Sequence, residues 1–232
     1  MKRTGSRGLM AFWADIGHDH TLRFQQWHNC EHIHERVGIP GFNVGRRYRG
    51  IGEAPKFLMF YETDDAAVLG SEPYLERLND PTPWTQESLP YFRNPMRNIY
   101  GLVAEHGAPA PTEAPYMHVF RFNLPDGEGA LDWHGQQWLP AVSAIDEVHR
   151  GRLYAVDEAI SGIMTSERQI YGGGPGQQKY LAMFETTCPD TSTLATWQAA
   201  EQGCPDAADH LAGRRDLFCE SSWLEIALYG AK

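Results

Sequence analysis

No stretch of the chain approaches the roughly 18 apolar residues of a membrane span, and its start, MKRTGSRGLMAFW, has basic residues without the apolar run of a secretory leader. Both absences lead to the expectation of a cytoplasmic protein with no membrane partner. The four cysteines, Cys30, Cys188, Cys204 and Cys219, contain no C-x-x-C pair. That spacing excludes a zinc ribbon or a thioredoxin-like couple and leaves four free thiols in a reducing compartment. There is no basic stripe either: the net charge is −10 and the arginines are scattered, so no nucleic-acid partner is expected. Low-complexity tracts and long like-charge blocks are absent too, which excludes a disordered tail of that kind. What remains is a globular composition, 42% hydrophobic and 12% aromatic over 232 residues. That suffices for one large domain or two of about 110 residues, each with its own core.

An internal repeat is present. KFLMFYET at 56–63 matches KYLAMFET at 179–186 at an offset of 123, and LMAFWADIG at 9–17 resembles YMHVFRFNL at 116–124 at an offset of 107. The difference places about sixteen extra residues between the first strand and the central hairpin of the second copy. On this alignment GRRYRG at 45–50 pairs with SERQIYGG at 166–173. Helix-like stretches follow the first strands, at 21–37 and at 131–150, the latter interrupted by Pro140, which should break or restart it. Closing strands are expected at 97–105 and 221–230, and HGAPAPTEAP at 106–115 has the composition of an exposed linker. The expected fold class is α+β: two fused βαββαβ ferredoxin-like units, 1–105 and 116–232, forming an intramolecular α/β barrel of the dimeric type. Alternation in the strand at 57–63 makes both faces of the sheet apolar, so the helix-free face of one unit needs the sheet of the other as cover.

Titratable residues are densest in the first helix, where His28, Cys30, Glu31, His32, His34 and Glu35 fall within eight positions. At 100° per residue, Phe24, Trp27, Cys30, Ile33 and Val37 form an apolar face. His34 lies near its middle, Glu31 at its edge, His28 and Glu35 just beyond, and His32 farther towards the polar side. A buried histidine beside a carboxylate can exchange protons near neutral pH, so Glu31 with His34 or His32 is the expected acid–base pair. Arg47 and Tyr48 alternate on the second strand, so one of them can face a substrate, and Tyr61 can donate to a developing oxyanion. Trp13, Trp27, Phe60 and Trp84 offer an aromatic lining for a flat ligand. His28-Asn29-Cys30-Glu31-His32 also spells H-x-x-E-H, which makes His28, Glu31 and His32 an alternative set of ligands for a divalent metal. The run Gly172-Gly173-Gly174-Pro175-Gly176 lacks a following Lys-Ser/Thr and is expected as a flexible turn rather than a phosphate loop.

The run WHNCEHIHERVGIPGFNVGRRY at 27–48, together with Phe57–Thr63, Ser71–Tyr74 and Pro81–Trp84, resembles the EthD-like branch of the dimeric α/β-barrel superfamily. The resemblance covers the first half well and the second only in its strands, which implies one active and one mainly structural half. It implies a pocket between helix and sheet, and puts Glu31 and His32 on the motif positions. Relatives of this kind carry out cyclisation, isomerisation, decarboxylation, monooxygenation or, with haem, peroxidation, and the resemblance does not choose among these. The clustered bases and the absence of cofactor motifs lead to the expectation of proton transfer on an aromatic or polyketide-like small molecule, by a cyclase, isomerase or lyase without a cofactor. Two alternatives stand beside it. One is a metal- or haem-dependent oxidoreductase, with His118, His149 or His210 as axial ligand. The other is a binding protein with no catalysis. A further homodimer is possible on either reading.

Overall fold

The computed structural model describes residues 5–53, 55–125 and 129–230. Its strands, β1 (Gly8–Ile16), β2 (Phe42–Gly50), β3 (Phe57–Thr63), β4 (Phe92–Gly107), β5 (Tyr116–Asn123), β6 (Val148–Val156), β7 (Tyr180–Thr186) and β8 (Arg215–Tyr229), close into one antiparallel barrel in the order β1-β3-β2-β8-β5-β7-β6-β4. Starting from β4, the order is β4-β1-β3-β2 and then β8-β5-β7-β6, the same arrangement twice with four added to each number. The two halves meet along β2–β8 and β4–β6.

Strand alternation sets three cores. Leu9, Ala11, Trp13, Leu58 and Phe60 point into the barrel with Tyr48, Met117, Val119, Tyr154 and Met183. Met10, Phe12, Phe57, Met59 and Tyr61 point out, under the first half's helices. Phe120, Phe122, Ala182 and Phe184 do the same in the second half. Polar residues facing inward bind the halves together: Glu62 on β3 accepts from Arg46 of its own half at 2.7 Å and forms an ion pair with Arg152 of the other at 3.0 Å. Glu185, its counterpart at the offset of 123, pairs with Arg150 and Arg152. Such a buried network is stable only because each carboxylate meets more than one guanidinium. The flanking cations hold Glu62 well below the usual carboxylate range, against the opposing effect of burial.

The first helical layer runs α1 (Thr21–Trp27), one π turn (His28–His32) and α2 (Ile33–Val37), without interruption. Then α3 (Glu72–Asn79) and α4 (Pro83–Ser88) follow β3. In the second half, α5 (Ala130–Trp133), a π turn (His134–Trp138) and α6 (Leu139–Ser143) repeat the first pattern at an offset of 106. Pro140 does not break this helix; it sits directly after the π turn, as the second residue of α6.

Two sequence expectations need correction. The partner of GRRY at 45–48 is GRLY at 151–154, again at an offset of 106, and both strands show one burial pattern. SERQIYGG is not a strand: it lies mostly in α8 (Ser166–Tyr171), which follows α7 (Glu158–Gly162). The extra residues of the second half therefore lie inside its hairpin, between β6 and β7, and not before it. They are firmly attached. Ser161 Oγ accepts from the β4 backbone at Ile99 at 2.8 Å, and Arg168 donates to the carbonyls of Ser161, Gly162, Ile163 and Gly173 at 3.0–3.2 Å. The glycine run packs on the same strand. A Cβ on Gly176 would come within 2.2 Å of Met96 Sδ, and Gly174 O accepts from Arg97 N at 3.0 Å. Towards the C-terminus, α9 (Ala195–Gln202) and α10 (Ala207–Ala212) cover the second half. No helix among the described residues is long and apolar enough to cross a membrane.

Candidate functional site

Between the outward face of β1 and β3 and the first helical layer lies a cavity of about 40 Å³, counted over positions open to the centre of a water molecule. That is room for several waters or a compact organic group. Its floor is Met10, Phe12, Met59 and Tyr61, its helical side Trp27, His32 and Arg36, and its end Tyr74, Leu78, Leu89, Phe92 and Arg97. The remaining wall is Thr165, Glu167 and Tyr171, all from the inserted α7–α8 segment of the second half.

The π turn explains which imidazole faces the cavity. In a regular helix His34 would share the apolar face with Phe24 and Trp27, but the wide turn at 28–32 resets the angular register of the residues after it. As a result His34 is exposed and so is Cys30, contrary to the helical-wheel expectation. His32 instead lies over the Trp27 ring, with centroids 4.3 Å apart. His28 is fully buried, and its Nε2 meets Tyr61 Oη at 3.2 Å. Nδ1 of both histidines is buried without a partner. Burial, with positive charge from Arg47 and Arg36 for His28 and from Arg36 for His32, lowers both pKa values well below the ordinary one. Both rings are therefore uncharged at neutral pH.

Arg36, on the same helix, pairs in the buried wall with Glu167 of α8. Burial works against both charges. The close carboxylate outweighs it at Arg36, which stays protonated, and the direct contact keeps the pair ionic. Arg97 also lines the cavity and donates to Tyr74 Oη at 3.2 Å, and Arg36 and Arg97 lie 5.9 and 6.0 Å from the centre of the Tyr74 ring. Burial drives the Tyr61 phenol upwards and pushes Tyr171 up to about 12, so the phenols are neutral donors.

Several expected residues are elsewhere. Glu31 is turned to α4, where Thr82 Oγ1 donates to it at 2.6 Å and Thr85 Oγ1 at 3.4 Å. Consequently His28, Glu31 and His32 do not converge, and no group of three or more His, Cys, Asp or Glu arranged to hold a metal ion occurs among the described residues. Arg47 is buried under α1 and held by Glu225 of β8 at 2.7 Å and Asn29 at 2.8 Å, so it serves the joint between halves. Trp13, Tyr48 and Phe60 belong to the barrel interior, one pleat away from the cavity. Trp84 packs at the edge of the first core without lining it. Conversely, Arg36, Arg97, Tyr74, Glu167 and Tyr171 escape a search centred on the acid–base cluster. The match of GRLY to GRRY was the signal that could have isolated 157–179 as an insertion and drawn attention to Glu167 and Tyr171.

No protein-family model matches the chain, and no curated protein matches it. Among solved structures it is similar to an anthrone oxidase-like protein (TM-score 0.65, 8% identity, covering 98% of this chain and 94% of that one). It is also similar to a protein provisionally described as a monooxygenase from Fusobacterium nucleatum (TM-score 0.62, 6% identity, 99% and 100% covered). A third similar structure is a chlorite dismutase mutant from Candidatus Nitrospira defluvii (TM-score 0.55, 11% identity, 96% and 92% covered). At these identities the likeness is one of fold: an eight-stranded antiparallel barrel with outer helices, of the dimeric α/β-barrel type.

Proposed function

We propose that the chain is a small-molecule enzyme that moves a proton on an aromatic substrate held in the cavity, with His32 as the base. The observation that carries this reading is the cavity itself: an uncharged imidazole with an unpartnered ring nitrogen, set among aromatic rings and facing two guanidiniums. An uncharged imidazole can accept a proton from a weak carbon or oxygen acid. The enolate- or phenolate-like anion left behind would be stabilised by Arg36 and by the Tyr61 hydroxyl, which His28 orients. Cyclisation, isomerisation and lysis all begin with such a step. So does oxygenation of a stabilised carbanion, a reading favoured by the descriptions of the neighbouring anthrone oxidase-like and monooxygenase structures.

Haem fits the second half poorly. His118 is engaged at both nitrogens, by Ser221 Oγ at 2.7 Å and Cys219 Sγ at 3.4 Å, and His210 stacks on Trp133. The cavity touches neither of them, nor His149, so no step is routed through a haem. The repeated strand order, the two π turns and the offsets of 106 and 123 support reading the halves as two βαββαβ ferredoxin-like units descended from one.

The test is hydrogen–deuterium exchange at the acidic C–H of anthrone and related aromatic ketones in D₂O, followed by NMR, with oxygen uptake recorded in parallel. Exchange should be accelerated by the protein and fall about a hundredfold or more in His32→Gln. Unaltered exchange in that variant, or no acceleration of any probe by the unmodified protein, would refute the reading. Oxygen uptake coupled to exchange separates the oxygenase from the lyase and isomerase class.

A further inference from the structure

Arg97 is a buried cation with no carboxylate in contact: Glu167 favours its charge from a distance but is engaged by Arg36. The cavity lining carries two guanidiniums, Arg36 and Arg97, and one carboxylate, Glu167. The histidine that faces it is uncharged, and burial drives the phenols of Tyr61 and Tyr171 upwards, so these groups do not change the balance. Glu31 is held by Thr82 outside the lining, and Glu167 is paired to Arg36. The Tyr74 hydroxyl is the only side-chain acceptor of Arg97 among the described residues, and no described carboxylate forms an ion pair with it. A guanidinium keeps its proton at any pH at which the protein is folded. A buried charge of that kind is costly unless something of opposite sign pairs with it.

Its placement is firm on both sides. Arg97 sits opposite Phe12 in the β1–β4 register, and its backbone N–H is bonded to Gly174 of the inserted segment at 3.0 Å. The fold therefore fixes the cation in the wall of an aromatic cavity whose lining keeps one positive charge more than its single carboxylate, Glu167, balances.

We infer that the substrate of this site carries a permanent anionic group, a carboxylate on an aromatic framework, which pairs with Arg97 while the ring lies among Phe12, Trp27, Phe92 and Tyr171. This rests on reading the cavity as the substrate site, and it adds to that reading the class of molecule and the residue that orients it. Bound in this way, the ligand completes the charge balance of the cavity, and the bidentate geometry of a guanidinium fixes the plane of the carboxylate. Glu167 would set the opposite limit, since a second anionic group beside it would meet a carboxylate.

Binding of benzoate and 2-naphthoate should be compared with that of benzamide and 2-naphthamide by calorimetry on the full chain. The amides have the same shape without the charge. At least one carboxylate should bind tenfold or more tightly than its amide. In Arg97→Gln the two should become equal, and in Arg97→Lys part of the preference should return. Circular dichroism and the melting temperature verify that each variant is folded. Should Arg97→Gln fail to fold, Tyr74→Phe, which removes the one described partner of Arg97, should keep or increase the preference for the carboxylate. Equal binding of acid and amide by the unmodified protein, no binding of either, or a preference that survives in Arg97→Gln or is lost in a folded Tyr74→Phe would overturn the inference. The two readouts distinguish the two proposals, because C–H exchange reports on the first and the ratio of carboxylate to amide affinity on this one. A carboxylate preference without exchange would defeat the proton-transfer reading alone, and exchange on uncharged ketones without any carboxylate preference would defeat this one alone.

Discussion

The two halves place the same elements in the same order, and the cavity lined by His32 and Arg36 lies between helix and sheet of the first. Equivalent positions differ in what they place there. Tyr61 corresponds to Phe184 at the offset of 123, and Met59 to Ala182. His32, Arg36 and Trp27 correspond at the offset of 106 to Trp138, Val142 and Trp133. In the second half Trp138 lies against Phe120, Phe184 and Trp197, which closes the volume that His32 and Arg36 leave open in the first. The second half's own cation, Arg214, lies over the Trp138 ring at 4.1 Å and is directed at Glu201 rather than at an open space. One unit is thus packed for stability. The other has exchanged indole and alkyl for imidazole and guanidinium, and takes its missing wall from its neighbour's insertion.

The largest effect that could break this comparison is expected at the filled site. Trp138→Ala should cost about 3–5 kcal/mol in chemical denaturation, since it empties a fully packed volume and removes the hydrogen bond that the indole donates to Glu201 at 2.7 Å. A loss under about 1 kcal/mol would mean that the second half is as loosely packed as the first.

Next comes the wall between the halves. Arg36→Val, which installs the second half's side chain, should cost about 3–5 kcal/mol by leaving Glu167 buried and unpaired. Adding Glu167→Leu should restore most of that loss, whereas no restoration would show that the pair is not what joins the insertion to the first half.

A smaller change is Tyr61→Phe, which makes the floor like Phe184 and removes the contact with His28. It should cost about 1 kcal/mol. The same comparison has a pH dependence. His28 and His32 have folded pKa values depressed below the unfolded one, so they favour the folded state fully above about pH 6.5 and oppose it increasingly as pH falls below that value, where only the unfolded chain takes up the protons. His32→Trp, the second half's choice, should flatten the loss of stability between about pH 6.5 and 5 without altering the curve above pH 7. An unchanged acid limb would refute this account of His32.

Much of the architecture was legible because it depends on period and repetition. Alternating apolar residues in KFLMFYET and KYLAMFET required two covered faces, and the first helix runs over the expected 21–37. The second hairpin was obscured because β6, VHRGRLYAV, turns Arg150 and Arg152 into the barrel, where their partners are carboxylates distant in sequence. A strand with charges on its inner face lacks the apolar alternation by which strands are recognised. At the site, His28, Trp27 and Tyr61 followed from residue type and position and His32 from the family resemblance, against the helical wheel, while His34 was misplaced because a regular helical wheel cannot anticipate a π turn.

The sequence by itself determined that there are two similar halves, where most strands run, and that imidazoles gather on one helix, since these follow from local pattern. Tertiary structure alone decided which imidazole faces the cavity, that Glu31 is turned to Thr82, and that Glu167 comes from the other half to meet Arg36. Those outcomes depend on one wide helical turn and on contacts between residues more than a hundred positions apart in sequence, and no local pattern encodes either.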